Sequence, residues 1–154
     1  MQLEDDSVLS VLAVFSRGTD SAALERIFSH TSWRLDLCQT LAEARVQLRN
    51  ARPGVVICDR KFADGNWKHL LRGLPANGAA PKLIVALPAA DARLWAEVLN
   101  LGGYDALVKP FDSDEVVRLV SVAWLSWRDT QIRRAPERLP LRVHRLSGAA
   151  AMAS

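Results

Sequence analysis

The chain has 154 residues but only two cysteines, one tyrosine and no long apolar run. Each shortage closes off a class of protein. Cys38 and Cys58 are too few for a disulfide framework, and neither belongs to a C-x-x-C pair. They read instead as small buried apolar residues. No apolar run approaches the roughly 20 residues needed to cross a bilayer. Residues 8–15 are apolar but short, and they follow Glu4, Asp5 and Asp6, where a secretory leader would carry positive charge. A cytoplasmic location is expected. His30, His69 and His144 are scattered and adjoin no cysteine or aspartate cluster at ligand spacing, so no metal centre is expected. No nucleophile–base pair is visible either, so hydrolytic or other enzyme activity has no support.

Charge is also scarce where the average suggests it. The formal net charge is +3, yet from Arg128 onward six arginines face only Asp129 and Glu137. The first 127 residues therefore sum to −1. The basicity belongs to the end of the chain, and no nucleic-acid footprint is expected on the folded body. From Thr130 the sequence has no sustained period, which reads as a mobile basic extension. The expected division is a domain over 1–128 and a tail over 129–154.

What the sequence has in quantity is buried-strand signal. Val55-Val56-Ile57-Cys58 is apolar without alternation and runs into Asp59, with turn residues on both sides. That pattern predicts a strand buried on both faces, as in a parallel sheet. Residues 8–15 and Lys82-Leu83-Ile84-Val85-Ala86-Leu87 read the same way, and Ala106-Leu107-Val108 is a shorter strand. Trp33-Arg34-Leu35-Asp36-Leu37 alternates, as a half-exposed edge strand does.

Helical patterns fall between the strands. The first is expected over about 20–30, behind the turn material of Ser16 to Ser21. The second starts at a Thr40/Glu43 capping box. The third carries Trp67, Leu70, Leu71 and Leu74, and is closed by Pro75, Asn77 and Gly78. The fourth is capped by Asp91 and ended by Gly102. The last begins at Asp112 or Ser113 and runs to about Arg128. Five strands alternating with five helices predict an α/β, three-layer, doubly wound (βα)5 parallel sheet. The flavodoxin-like strand order 2-1-3-4-5 fits best. In such sheets ligands bind outside the carboxyl ends of the strands, which makes Asp59 the first candidate.

With that order in place, residues 8–128 resemble the CheY-like receiver domain of two-component response regulators. The resemblance rests on the strand ending in Asp59, the loop Phe62-Ala63-Asp64-Gly65, Gly102 at the end of helix four, and the run from Tyr104 to Lys109-Pro110-Phe111. It implies that Asp59 stands at the phosphoacceptor position and that Lys109 is the lysine of the same site. It also exposes departures. The two acids that follow strand one in the family are absent, since the strand ends Phe15-Ser16-Arg17, with Ser16 and Arg17 in the acidic pocket. The hydroxyl position is Leu87 and the switch aromatic is Ala106. Phosphoryl transfer to a carboxylate depends on neutralising charge, and Mg²⁺ needs several hard oxygen ligands. No resident cofactor is expected, and any Mg²⁺ binding should be weak. Asp59 then reads as a structural anion held by Lys109, with Arg17 as second partner.

The resemblance implies a stand-alone, phosphorelay-type signalling protein with a degenerate site. Its partner would be a sensor kinase or another signalling protein, bound independently of phosphorylation. A homodimer through helix four, strand five and helix five is also expected, with Leu94, Trp95, Val98, Trp124 and Trp127 as interface candidates. Two rival readings stand beside it. One is a working Asp59 phosphoacceptor. The other is a phosphate, nucleotide or flavin module that uses the loop from Ser16 to Ser21.

Overall fold

The structure is a computed structural model that describes residues 8–76 and 78–134. Glu4, Asp5, Asp6, Asn77 and the expected tail beyond residue 134 lie outside the described residues.

Among the described residues seven strands and five helices follow in order: β1 (Ser10–Val14), α1 (Gly18–Phe28), β2 (Arg34–Cys38), α2 (Leu41–Ala51), β3 (Val55–Cys58), β4 (Lys61–Phe62), β5 (Gly65–Asn66), α3 (Trp67–Arg72), β6 (Lys82–Leu87), α4 (Ala92–Leu101), β7 (Asp105–Val108) and α5 (Ser113–Arg134). The main sheet is parallel, in the order β2-β1-β3-β6-β7. This is the predicted order. Strands β4 and β5 form only a small antiparallel hairpin beside it, with the Ala63-Asp64 turn at its tip.

The apolar runs behave as their lack of alternation requires. Every residue of Val55–Cys58 is buried, and so are Leu83 through Leu87. Alternate residues feed two cores. Val11, Ala13, Phe15, Val55 and Ile57 pack beneath α1 and α5, while Leu12, Val14, Val56 and Cys58 pack beneath α2, α3 and α4. Cys38 and Cys58 are free and buried. Burial pushes the Cys38 thiol up to about 12 and Cys58 well above its usual range, so neither supplies a thiolate near neutral pH.

The caps follow local chemistry. Thr40 and Glu43 form the expected box. Asp91 accepts from the Arg93 and Leu94 amides, and Asp112 accepts from the Glu115 amide. Gly102 closes α4 at φ 112°. One cap is not local. Asp64 reaches from the β4–β5 turn to accept from Leu41 N–H at 2.8 Å and Ala42 N–H at 3.0 Å. These are the first two amides of α2, which have no partner inside the helix. The Leu41 bond, helped by Ala42 and more weakly by Arg45, holds the Asp64 carboxyl below its ordinary 3.8.

Two boundaries differ from expectation. Helix α1 starts at Gly18, with extended Arg17 at its N-cap and no side-chain cap bond. Thr19, Asp20 and Ser21 therefore lie in the first turn instead of ahead of it. Helix α5 runs to Arg134, six residues past Arg128. Nothing in 129–134 breaks a helix, since the next proline is Pro136. Asp129 and Arg133 pair at 2.9 Å, and Gln131 donates to the Gly78 carbonyl at 3.0 Å. These residues belong to the folded body.

Gly54 explains why α5 sits where it does. It joins the sheet at the foot of β3 through Ser10 and Lys82. A Cβ there would meet Trp127 at 2.7 Å and Trp124 at 2.8 Å. Both rings thus lie on the sheet over a residue with no side chain. Gly54→Ala is expected to lose about 1–3 kcal/mol through overpacking, measured by urea unfolding; wild-type stability would mean the rings move aside without cost. Asp64→Ala should lower the melting temperature at pH 7. A carboxyl held low in the fold stabilises above its unfolded value and stops doing so as pH falls through the folded one. The gap between variant and wild type should therefore narrow as melts are taken to acid pH, below the ordinary carboxylate range.

Candidate functional site

Parallel register brings the carboxyl ends of β1, β3, β6 and β7 to one edge. Val14 is opposite Cys58, Cys58 opposite Val85, and Leu87 opposite Val108. The next residues along β3 and β7 are Asp59 and Lys109. The Asp59 amide donates to Val14 O and the Lys109 amide to Leu87 O, so both backbones are fixed before their side chains begin. The Lys109-Pro110 peptide is cis.

The side chains meet. Lys109 Nζ lies 3.3 Å from Asp59 Oδ1, and the same oxygen accepts from the Arg60 amide at 2.8 Å. Lys109 Nζ also lies 3.0 Å from Asp20 Oδ2. The three side chains are only 15–21% exposed, which places the ion pairs between the surface and interior regimes. One ammonium thus serves two carboxylates. Asp59 and Lys109 stand together as predicted.

Arg17 does not join them. It is exposed at the N-cap of α1 and makes no ion pair with Asp59. The physical reason is the helix start. With α1 beginning at Gly18, the first turn directs Asp20 to the crevice, and Arg17 remains on the rim. Ser16 is exposed as well. Asp20 was the residue sequence reading missed. Its signal was there, a carboxylate in a first helical turn, but it became legible only once the helix boundary was known. That carboxylate also puts negative charge at the end of the Ser16–Ser21 loop, which opposes a phosphate or flavin phosphate there.

The remaining positions are apolar and closed. Phe15 is fully buried and packs edge-on against Phe111 at 5.9 Å. Leu87 and Ala106 are each 1% exposed. No hydroxyl or mobile ring lines the crevice at these points. The residues do not fit a resident Mg²⁺. Both carboxylates already share Lys109, and no group of three metal-ligating side chains occurs among the described residues.

The expected aromatic interface is also corrected. Trp124 is 7% exposed, and Trp127 is half-buried against the same core. Trp127 donates to the Ala79 carbonyl at 3.4 Å. Both rings are spent on the chain's own sheet because Gly54 leaves room for them. Val98 is buried, and Leu94 and Trp95 are half-buried against the other core. Trp95 Nε1 donates to Asp105 Oδ1 at 2.8 Å. Among the described residues no helix is long and apolar enough to cross a membrane.

No protein-family model matches the chain. The transcriptional regulatory protein DpiA of Escherichia coli (strain K12) is 28% identical over 74 residues, which is 48% of this chain and 33% of that relative. The match thus spans about a third of the relative's length. Solved structures match more of the chain. The signal receiver domain of a putative LuxO repressor protein from Vibrio parahaemolyticus superposes with a TM-score of 0.74 at 18% identity, over 81% of this chain and 96% of that one. The signal receiver domain of an HD domain-containing protein from Pseudomonas fluorescens Pf-5 gives 0.73 at 21% identity, over 80% and 92%. The chemotaxis response regulator CheY4 of Vibrio cholerae gives 0.68 at 15% identity, over 76% and 99%. The architecture built here from strand burial and register is therefore the fold of response-regulator receiver domains.

Proposed function

We propose that this chain is a receiver-type signalling protein whose acceptor crevice is locked, so that it works through protein–protein contact without phosphorylation of Asp59. One observation carries the reading: Lys109 Nζ is shared between Asp59 Oδ1 and Asp20 Oδ2 in a pocket that excludes most water. A phosphoryl group arriving at Asp59 would have to displace Lys109 or sit beside a second carboxylate. Neither process is helped by a hydroxyl at Leu87 or a ring at Ala106. The chain's role would be to present a fixed surface to a sensor kinase or another signalling protein in the cytoplasm. It would do so without enzyme activity of its own.

The rival reading, a working phosphoacceptor, gains one point from Asp20, which gives the crevice a second carboxylate that the sequence hid. Incubation with a small acyl phosphate and Mg²⁺, read by intact mass beside Asp59→Asn, separates the two. The unmodified mass is expected throughout. A phosphoryl adduct on the wild type that Asp59→Asn lacks would establish the rival. The lock itself makes a second prediction. Lys109→Met leaves two carboxylates facing each other in partial burial and should cost about 1–2 kcal/mol. Asp20→Asn keeps the Asp59 pair and should cost less. Equal urea midpoints for all three proteins would remove the lock.

A further inference from the structure

The opposite edge of the sheet carries a cavity of about 1170 Å³. It lies between the second half of α2, the residues leading into β3 and β6, and the last turns of α5. Arg45, Arg49, Arg52 and Arg128 all line it, and no carboxylate does. Trp127 lines it too, with apolar neighbours such as Leu48 and Pro53.

Three observations make this more than a solvated face. First, the cations lack counter-charges among the described residues. No described acid lies within ion-pair distance of Arg45, Arg49 or Arg52, although Asp64 feels Arg45 from farther off. Arg128 lies over the Trp124 ring at 5.3 Å instead of on a carboxylate. Second, the cluster is local. The first 127 residues sum to −1, so these arginines are concentrated against a nearly neutral body. A concave site lined by one sign of charge focuses field and gathers counter-ions. Third, Arg52 holds a left-handed backbone at φ 49°, ψ 60°, closing α2 where glycine is the usual residue. That conformation places an arginine, not a glycine, at the cavity wall.

We propose that this cavity binds a nucleotide-like polyanion. Its phosphate chain would lie on Arg45, Arg49 and Arg52, whose planar forks suit phosphate oxygens. Its flat ring would lie against Trp127 and the apolar wall. The site is separate from the Asp59 crevice and does not depend on how that crevice works.

The test is calorimetric titration of the full chain with ATP in EDTA-containing, Mg²⁺-free buffer at physiological salt, with sodium tripolyphosphate as the ring-free probe. ATP is expected to saturate below about 1 mM and to raise the melting temperature. Tripolyphosphate should bind several-fold more weakly. Arg49→Glu/Arg52→Glu should weaken ATP at least about tenfold, since two charge-assisted contacts are lost. Arg45→Gln/Arg49→Gln provides a milder second pair if the first disturbs folding. Arg26→Glu/Arg93→Glu removes the same charge from exposed positions outside the cavity and should leave binding unchanged. Three results would each overturn the proposal: no saturable ATP binding, tripolyphosphate binding as tight as ATP, or equal weakening by the outside pair.

Discussion

One ammonium group holds the functional end of this fold together. Lys109 arrives at the end of the strand on one edge of the sheet, and its Nζ joins residues 89 and 50 positions earlier in the chain. Asp59 comes from the central strand and Asp20 from the first helix. The triad therefore ties three separate βα units at one point. Its net charge is negative and its exposure is low, so its strength lies in geometry: removing Lys109 leaves both carboxylates uncompensated in a partly desolvated pocket, whereas removing one carboxylate leaves the other paired. Phe15, Leu87 and Ala106 are buried in the two cores of the same sheet.

The sheet was legible because its signal is written locally. Val55–Cys58 and Lys82–Leu87 are too uniformly apolar to be anything but strands covered on both sides, and the alternating Arg34–Cys38 lies at the edge as alternation requires. Thr40, Asp91 and Gly102 cap their helices through neighbours within a few positions, so composition alone places them. Asp59 and Lys109 were legible for the same reason, as residues that directly follow strands.

The parts that escaped sequence reading are those set by distant partners. Asp20 looked like a cap because nothing local marks Gly18 as the helix start. Asp64 looked like turn chemistry because the amides it caps are 22 and 23 residues away. The two tryptophans of α5 read as an interface because nothing local shows room on the sheet for two large rings one turn apart. The residue that lets both lie on the sheet is a glycine, whose contribution is an absence. Helix α5 continued past its expected end because Gln131 bonds the Gly78 carbonyl and Thr130 and Arg134 lie against that glycine, a contact that periodicity does not encode.

That continuation has a mechanical side. At 1.5 Å per residue, the 22 residues of α5 make a rod about 33 Å long. Its near end follows directly on Lys109-Pro110-Phe111, beside the crevice. Its far end forms a wall of the arginine-lined cavity at the other pole of the molecule. Trp124 and Trp127, seated over Gly54, pin it partway along, so one continuous helix spans both poles.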